Sequence, residues 1–265
     1  MTPDPDALDL TELLTGDLEL HGRIMPASNA TFLGEVAGRK VVYKPVAGER
    51  PLWDFPDGTL AGREVAAYLL SETLGWDVVP PTYLRDGPHG VGMVQLWQDV
   101  DPEQDAVDIV ATGEVPEGWL HVFDGVDADD RDVSLVHEDT VPLRRMAVFD
   151  VLANNADRKG GHVLAMPGGH RYGVDHGLTF HIETKLRTVL WGWLGEGLDE
   201  EEVAGLRRVR EALGGALDGE LALALVDHVT EDEITVLARR CDRLLRTPVM
   251  PSPRGHGPAI PWPPF

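Results

Sequence analysis

Apolar and polar residues alternate with a period of two along the first part of the chain, apart from one stretch with a helical period. Such alternation predicts half-buried β-strands, whereas apolar residues three or four positions apart predict an amphipathic helix. The helical stretch covers 60–74 and stops at Gly75, a residue that commonly ends helices. The strands predicted from the alternation are 18–24, 31–36, 40–44, 82–85 and 90–97.

Helical spacing dominates the second half of the chain. A hairpin of two short strands, 161–166 and 170–174, interrupts it at a Pro-Gly-Gly turn. The stretch 99–137 mixes short apolar segments with many acidic residues, and its pattern predicts neither helices nor strands there. Proline enrichment at 247–265 predicts an extended or disordered tail. The predicted helices are 140–154, 200–213, 217–228 and 232–246.

This order of strands, helix, strands and helices predicts an α+β fold with two lobes. We expect a small β-rich N-lobe at 18–97 and a larger α-helical C-lobe at 98–246. An N-terminal arm at 1–17 and a Pro-rich tail at 247–265 flank them. Small ligands, nucleotides among them, commonly bind in the cleft between two such lobes, so this cleft is the expected site.

The charge balance limits the classes of partner. The 265-residue chain has 45 Asp and Glu against 23 Lys and Arg, a formal net charge of -22. Proteins that bind nucleic acid or anionic lipid normally present a basic face, so neither is an expected substrate. The single cysteine, Cys241, cannot form an internal disulfide. Without a leader or an apolar run of roughly 18 residues, we expect a cytoplasmic protein with no membrane insertion.

Residues suited to phosphoryl transfer occur in two loops of the second half. The first loop reads D-R-K-G-G-H from Asp157, and the second reads D-H-G from Asp175. Phosphoryl transfer needs a carboxylate near the attacking hydroxyl, a cation on the transferred phosphate and ligands for Mg²⁺. Asp157, Lys159 and Asp175 can fill these roles in that order. The basic neighbours of Asp157 are expected to keep its carboxylate ionised.

His162 ends the first loop, at the position where an asparagine metal ligand is usual in phosphoryl-transfer enzymes with this spacing. Imidazole is a good ligand for Mn²⁺ or Zn²⁺ and a poorer one for Mg²⁺, which prefers oxygen. His162 can therefore bind the metal, orient a water on it, or line the cleft. No H-x-x-x-H or H-E-x-x-H spacing accompanies it, which disfavours zinc catalysis.

The predicted N-lobe supplies candidate groups for binding a nucleotide. Lys44 ends the third strand and Glu64 lies on the following helix, so the two can pair beside the α- and β-phosphates. The turn between the first two strands carries Ser28 and Asn29, whose polar groups can cradle phosphate oxygens. A backbone hinge at the end of the last strand is expected to bind adenine. The candidates at the hinge are Gln95, Leu96 and Trp97, and Leu164, which follows the loop that begins at Asp157, is a further candidate for the nucleotide site.

Together these elements resemble the atypical kinases. The two loops are similar to the D-R-H-x-x-N and D-F-G motifs of phosphatidylinositol 3- and 4-kinase-like domains, and to HipA-type kinases. They are closer still to the D-R-K-x-G-H and V-D-H-G-L-x-F motifs of an actinobacterial family of phosphatidylinositol-kinase-like proteins. The resemblance covers roughly 18–245 and implies a two-lobed protein-kinase-like fold that binds ATP with Mg²⁺ or Mn²⁺.

The resemblance also implies individual roles. Asp157 would be catalytic, Lys159 would stabilise the transferring phosphate and Asp175 would bind metal. His162 and His176 replace the asparagine and phenylalanine that are usual at their positions.

The expected function is ATP-dependent phosphate transfer to a hydroxyl of an unidentified small polar molecule or protein. Three alternatives stay open. One is a nucleotide-binding pseudokinase or adaptor that docks a protein partner through its Pro-rich tail. The others are an AMP-transferring enzyme on the same fold and a metal-dependent hydrolase, which would act without nucleotide.

Overall fold

The first lobe is built on a five-stranded antiparallel sheet with the order β1-β2-β3-β5-β4. The computed structural model of the protein describes residues 10–25, 29–55, 59–254 and 257–265. A short helix, α1 (Leu10–Thr15), precedes the sheet. The strands are β1 (Leu18–Arg23), β2 (Phe32–Val36), β3 (Arg39–Pro45), β4 (Thr82–Gly87) and β5 (Gly90–Leu96).

Helix α2 (Leu60–Leu74) packs against this sheet on one side and against helices of the second lobe on the other. Thr59 caps it by accepting a hydrogen bond from the Gly62 N–H, and Gly75 ends it in a left-handed conformation. Because both sides are covered, even Arg63 and Glu64 are buried. Buried charges need ionic partners, and Arg63 has one in Glu233 at 2.7 Å.

The stretch 99–137, left open by the sequence, forms a second antiparallel sheet with the order β6-β8-β7. Only the central strand of the three is buried along most of its length. The outer strands carry apolar residues, among them Ile109, Leu120 and Phe123, without strict alternation with polar ones, so the pattern that predicts a strand is missing. The three strands are β6 (Val107–Ala111), β7 (Trp119–Val126) and β8 (Asp132–Glu138).

The rest of the second lobe is helical around one large core. Capping boxes start two of its helices, one formed by Asp199 with Glu202 and one by Thr230 with Glu233. A two-stranded hairpin separates the first helix from the others. The elements are α3 (Val141–Ala153), β9 (Val163–Ala165), β10 (Arg171–Gly173), α4 (Glu200–Leu213), α5 (Glu220–Leu225) and α6 (Glu231–Arg246).

The α+β fold with a β-rich lobe followed by a mainly helical lobe is confirmed. The prediction at 217–228 is wrong in its extent, because α5 spans only Glu220–Leu225. Gly214, with a φ of 75°, and Gly219 form a tight turn that keeps the preceding residues out of the helix. Among the helices of the described ranges, none is both long and apolar enough to cross a membrane.

Candidate active site

A cleft of about 720 Å³ lies between the five-stranded sheet and the loops that flank the hairpin β9–β10. A second cavity of about 350 Å³ opens from its polar end toward the start of α2. Ser28, one of the predicted site residues, lies outside the described residues. The other predicted residues in the first cleft are Asn29, Lys44, Gln95, Leu96, Trp97, Asp157, Lys159, His162, Leu164 and Asp175, and Glu64 lines the second cavity.

Lys44 lies where the two cavities meet and joins the two lobes. Its Nζ is 2.6 Å from Glu64 Oε1 and 2.9 Å from Asp175 Oδ1. Burial alone would lower the pKa of Lys44, but the carboxylates of Asp175 and Glu64 outweigh it and raise that pKa. The ammonium therefore stays protonated between a carboxylate of α2 and a carboxylate of the loop after β10.

Asp175 is held as a carboxylate at the polar end of the cleft. Lys44 holds the pKa of Asp175 well below its usual range, although burial opposes the effect. The backbone of Asp175 has a φ of 60°, in the left-handed region that few residues other than glycine adopt. Such conformations occur at functional sites, where surrounding contacts hold them.

His162 faces Asp175. Its Nδ1 is 2.9 Å from the Asp157 carbonyl oxygen, which can only accept, so Nδ1 carries the hydrogen and Nε2 a lone pair. That Nε2 is 3.4 Å from Asp175 Oδ2. Burial lowers the pKa of His162, which favours the neutral ring. A neutral imidazole nitrogen and a carboxylate oxygen are both electron-pair donors, so this pair fits a divalent cation between them.

This donor pair suits a metal whose other ligands come from phosphate and water. In the part of the chain that the structure describes, no group of three or more His, Cys, Asp or Glu side chains could hold a metal by itself. A mixed nitrogen and oxygen set is compatible with Mn²⁺ as well as Mg²⁺.

Asp157 has a more perturbed carboxyl than the sequence predicts. Lys159 is its nearest cation, with Nζ 3.8 Å from Asp157 Oδ2. Burial nevertheless raises the pKa of Asp157 to about 6, against the opposing effect of Lys159. Desolvation is thus the larger effect on this pKa, but a value of about 6 still leaves the carboxyl mostly ionised at neutral pH, as the sequence predicts. A carboxylate with a pKa near the working pH is well suited to accept a proton from a hydroxyl.

Arg158 turns away from the cleft and ties three elements together, a role that the sequence did not indicate. Two of its nitrogens donate to the two carboxylate oxygens of Asp150 on α3, each at 2.9 Å. Its Nη1 donates to the carbonyls of His162 at 3.1 Å and Val174 at 3.2 Å. Both side chains of the ion pair are completely buried. Arg158 thus fixes to α3 both of the loops in which the candidate residues lie.

His176 extends this network toward the other lobe. Arg158 Nη2 donates to the ring nitrogen His176 Nε2 at 2.7 Å. The backbone N–H of His176 donates to Glu64 Oε2 at 2.8 Å. Burial holds the pKa of His176 well below its usual range, so the ring is neutral and Nε2 can accept. The residue that replaces the usual phenylalanine therefore links the Arg158 cluster to the Glu64–Lys44 pair.

The two asparagines before Asp157 are buried, although in the sequence they are typical of a solvated turn. Asn155 accepts a hydrogen bond from the Asp157 N–H at 3.0 Å and donates to Asp150 Oδ1 at 2.9 Å. Asn154 closes α3 in a left-handed conformation and donates to the His181 carbonyl at 2.9 Å. They hold the loop at 157–162 against α3 and against the segment that follows Asp175.

The backbone N–H groups of two predicted hinge residues are already used within the protein. The N–H groups of Leu96 and Trp97 donate to main-chain carbonyls at 2.9 and 3.0 Å. The side chain of Gln95 is buried and donates to Thr82 at 2.8 Å. Within the described ranges, the N–H groups of residues 98–100 donate to no protein acceptor, and these residues line the cleft. They are the better candidates for binding adenine.

The fold and this cleft define an α+β protein with an ionic site where its two lobes meet. No protein-family model matches the chain. It is 52% identical over 266 residues to Protein Rv2133c of Mycobacterium tuberculosis, across 96% of this chain and 94% of that protein. The chain therefore belongs to the same protein family as Rv2133c. Among solved structures, it is similar to the Helicobacter pylori proinflammatory kinase CtkA, with 12% identity and a TM-score of 0.47 over 90% of this chain and 94% of that one.

Proposed function

We propose that the protein is an ATP-dependent phosphotransferase with a kinase-like fold, which transfers the γ-phosphate of ATP to a hydroxyl group. One observation carries this proposal: Lys44 pairs with Glu64 and Asp175 at the polar end of a cleft that Asp157 also lines. Phosphoryl transfer depends on positioning and charge stabilisation, and these are the groups it requires.

The far end of the cleft suits the adenine ring. Apolar side chains line it from both lobes, including Ile24 and Val42 on one side and Leu164 and Val174 on the other. A volume of about 720 Å³ is in the range of small-molecule sites. The free N–H groups at 98–100 lie at the edge where adenine would need donors.

Each polar residue has a role in the proposed reaction. Lys44, oriented by Glu64, binds the α- and β-phosphates. Asp175 and His162 would hold Mg²⁺ or Mn²⁺, which neutralises charge on the phosphates when bound. The acceptor oxygen forms a bond to the γ-phosphorus, the bond to the ADP oxygen breaks, and Asp157 receives the hydroxyl proton. Lys159 stabilises the phosphate during transfer.

The acceptor is a small polar molecule or a protein hydroxyl. The net charge of -22 disfavours nucleic acid and anionic lipid surfaces through long-range repulsion. The second cavity of about 350 Å³ reaches Asp157 and is open for an acceptor of modest size.

Release of ADP tests the proposal. Purified protein is incubated with ATP, Mg²⁺ or Mn²⁺ and a metabolite extract, and the same is done with Asp157→Asn. Loss of the general base should lower turnover by at least about 100-fold while ATP binding persists. Asp105→Asn is the matched control, since Asp105 is exposed and lies outside both cavities.

Turnover separates the proposal from its alternatives. A pseudokinase would bind ATP without releasing ADP, and an AMP-transferring enzyme would release pyrophosphate instead. If Asp157→Asn and wild type turn over ATP equally, the assignment of Asp157 is wrong.

A further inference from the structure

The Pro-rich tail lies against the catalytic loop. The Gly160 N–H donates to the Pro264 carbonyl at 2.8 Å. The Phe265 ring covers Gly160 so closely that a Cβ on this glycine would overlap the ring. Gly160 does not have a positive φ, so its backbone does not itself demand glycine. A side chain at this position would therefore have to displace the Phe265 ring.

The same tail has a second attachment. The Ala259 carbonyl accepts hydrogen bonds from the Thr188 N–H at 3.1 Å and from Trp191 Nε1 at 2.9 Å. Thr188 in turn forms an isolated parallel bridge with Arg158. Ile260 packs against the main core. The tail therefore connects the catalytic loop to the segment that follows the metal-binding loop.

We propose that residues 259–265 form a strap that positions the catalytic loop, with Phe265 as a positioning residue. The tail is extended, as the sequence predicts, and Trp262 is 81% exposed. Pro264 is buried, and Phe265, although 47% exposed, lays one face of its ring on Gly160. The strap holds the one loop that carries Asp157, Lys159 and His162. This inference rests on the proposed phosphate transfer for its effect on turnover.

The expected effect follows from the geometry of the site. A shift of about 1 Å in a catalytic group can cost on the order of 100-fold in rate. Residues 259–265 do not line either cavity, so the strap acts on the nucleotide site only through the loop at 157–162. Loosening the strap should therefore lower kcat more than it raises the KM for ATP.

Two adjacent glycines provide a matched pair of variants in the full-length chain. Gly160→Ala should displace the Phe265 ring and break the hydrogen bond to Pro264. Gly161→Ala should leave the strap in place, because nothing lies within 4 Å of a Cβ at that position. Hydrogen exchange at the residue 160 amide reports the bond without requiring activity. We expect exchange about fivefold faster or more in Gly160→Ala, the factor that one hydrogen bond contributes, and no change in Gly161→Ala.

Phe265→Ala, alone and together with Gly160→Ala, completes a double-mutant cycle. Phe265→Ala removes the ring. Gly160→Ala should therefore change the exchange rate and kcat much less on the Phe265→Ala background than in wild type. Alongside exchange, we would measure kcat and the KM for ATP from ADP release, and expect kcat to fall by on the order of tenfold in Gly160→Ala. Additive effects of Gly160→Ala and Phe265→Ala, or equal exchange in Gly160→Ala and Gly161→Ala, would overturn the strap.

The two readouts keep this inference separate from the proposed function. Wild-type protein that never releases ADP contradicts phosphate transfer, while the exchange cycle still decides whether the strap exists. Wild-type turnover with unchanged exchange and kcat in Gly160→Ala contradicts the strap alone.

Discussion

The substitution Asp150→Asn would leave the Arg158 guanidinium buried without a counter-charge. Neither side chain of the Asp150–Arg158 pair has exposed surface. Removing one partner of a buried ion pair costs about 3–5 kcal/mol in the free energy of unfolding. In a domain of similar size, each kcal/mol lowers Tm by roughly 2–4 °C. We therefore expect Asp150→Asn to unfold roughly 6–20 °C below wild type.

The same network predicts an effect on turnover. Arg158 holds the carbonyls of His162 and Val174, so its displacement moves both functional loops. Arg158→Lys keeps the positive charge but loses the planar fork that makes several hydrogen bonds at once. It should be less destabilised than Asp150→Asn and still release ADP more slowly than wild type.

Thermal and urea unfolding, followed by circular dichroism, measure the stability difference. Glu196→Gln is the matched control, because Glu196 pairs with Arg144 at 2.6 Å but is 51% exposed. Exposed pairs contribute about 1 kcal/mol or less. If Asp150→Asn loses no more stability than Glu196→Gln, the buried pair does not stabilise the fold as we infer.

Further predictions concern the start of α2, the hinge and a buried histidine. Glu49 accepts hydrogen bonds from the first two N–H groups of α2 at 3.0 and 2.8 Å, so Glu49→Ala should cost about 2 kcal/mol in urea unfolding; an unchanged midpoint would exclude this cap. ATP should slow hydrogen exchange at the amides of 98–100 and leave exchange at the Leu96 amide unchanged. If ATP instead protects only the Leu96 amide, the hinge predicted from the sequence is the better assignment. Burial lowers the pKa of His137, so the stability held by its neutral ring is lost as pH falls below about 6.5. Between pH 7 and 5.5, the Tm of His137→Gln should therefore drop less than the Tm of wild type. Equal drops would show that protonation of His137 does not contribute to the loss of stability.

The sequence predicts the site best where function requires particular residues at fixed spacing. Asp157 and Asp175 stand out because a charged residue with a defined spacing in two loops matches the needs of phosphoryl transfer. Lys44 and Glu64 follow from a strand end and the next helix, and the structure brings them to 2.6 Å. These predictions use local pattern and chemistry alone.

The supporting residues could not be predicted in the same way. In the sequence Arg158 stands out only as a basic neighbour of Asp157. Its partner Asp150 lies on the preceding helix, and only the fold brings the two together. One signal was present: Asp150 is the only charged residue in the apolar stretch 146–153. A charge in such a stretch is buried and needs a partner.

The unpaired N–H groups at 98–100 and the second sheet could not be predicted for a different reason. Whether the N–H of Leu96 is free depends on which strands flank β5, and this long-range pairing leaves no local trace. The outer strands of the second sheet mix apolar and polar residues without strict alternation, so no strand pattern marks them in the sequence. The contact of Phe265 with Gly160 joins residues far apart in the chain and has no sequence pattern.

Isothermal titration calorimetry with ATP tests the central claim most directly. We predict that ATP binds only with a divalent cation, and that Asp175→Asn weakens binding by at least about tenfold while Asp105→Asn leaves it unchanged. Equal affinity in wild type and Asp175→Asn, or no binding with either Mg²⁺ or Mn²⁺, would contradict the assignment of this cleft to a metal-bound nucleotide.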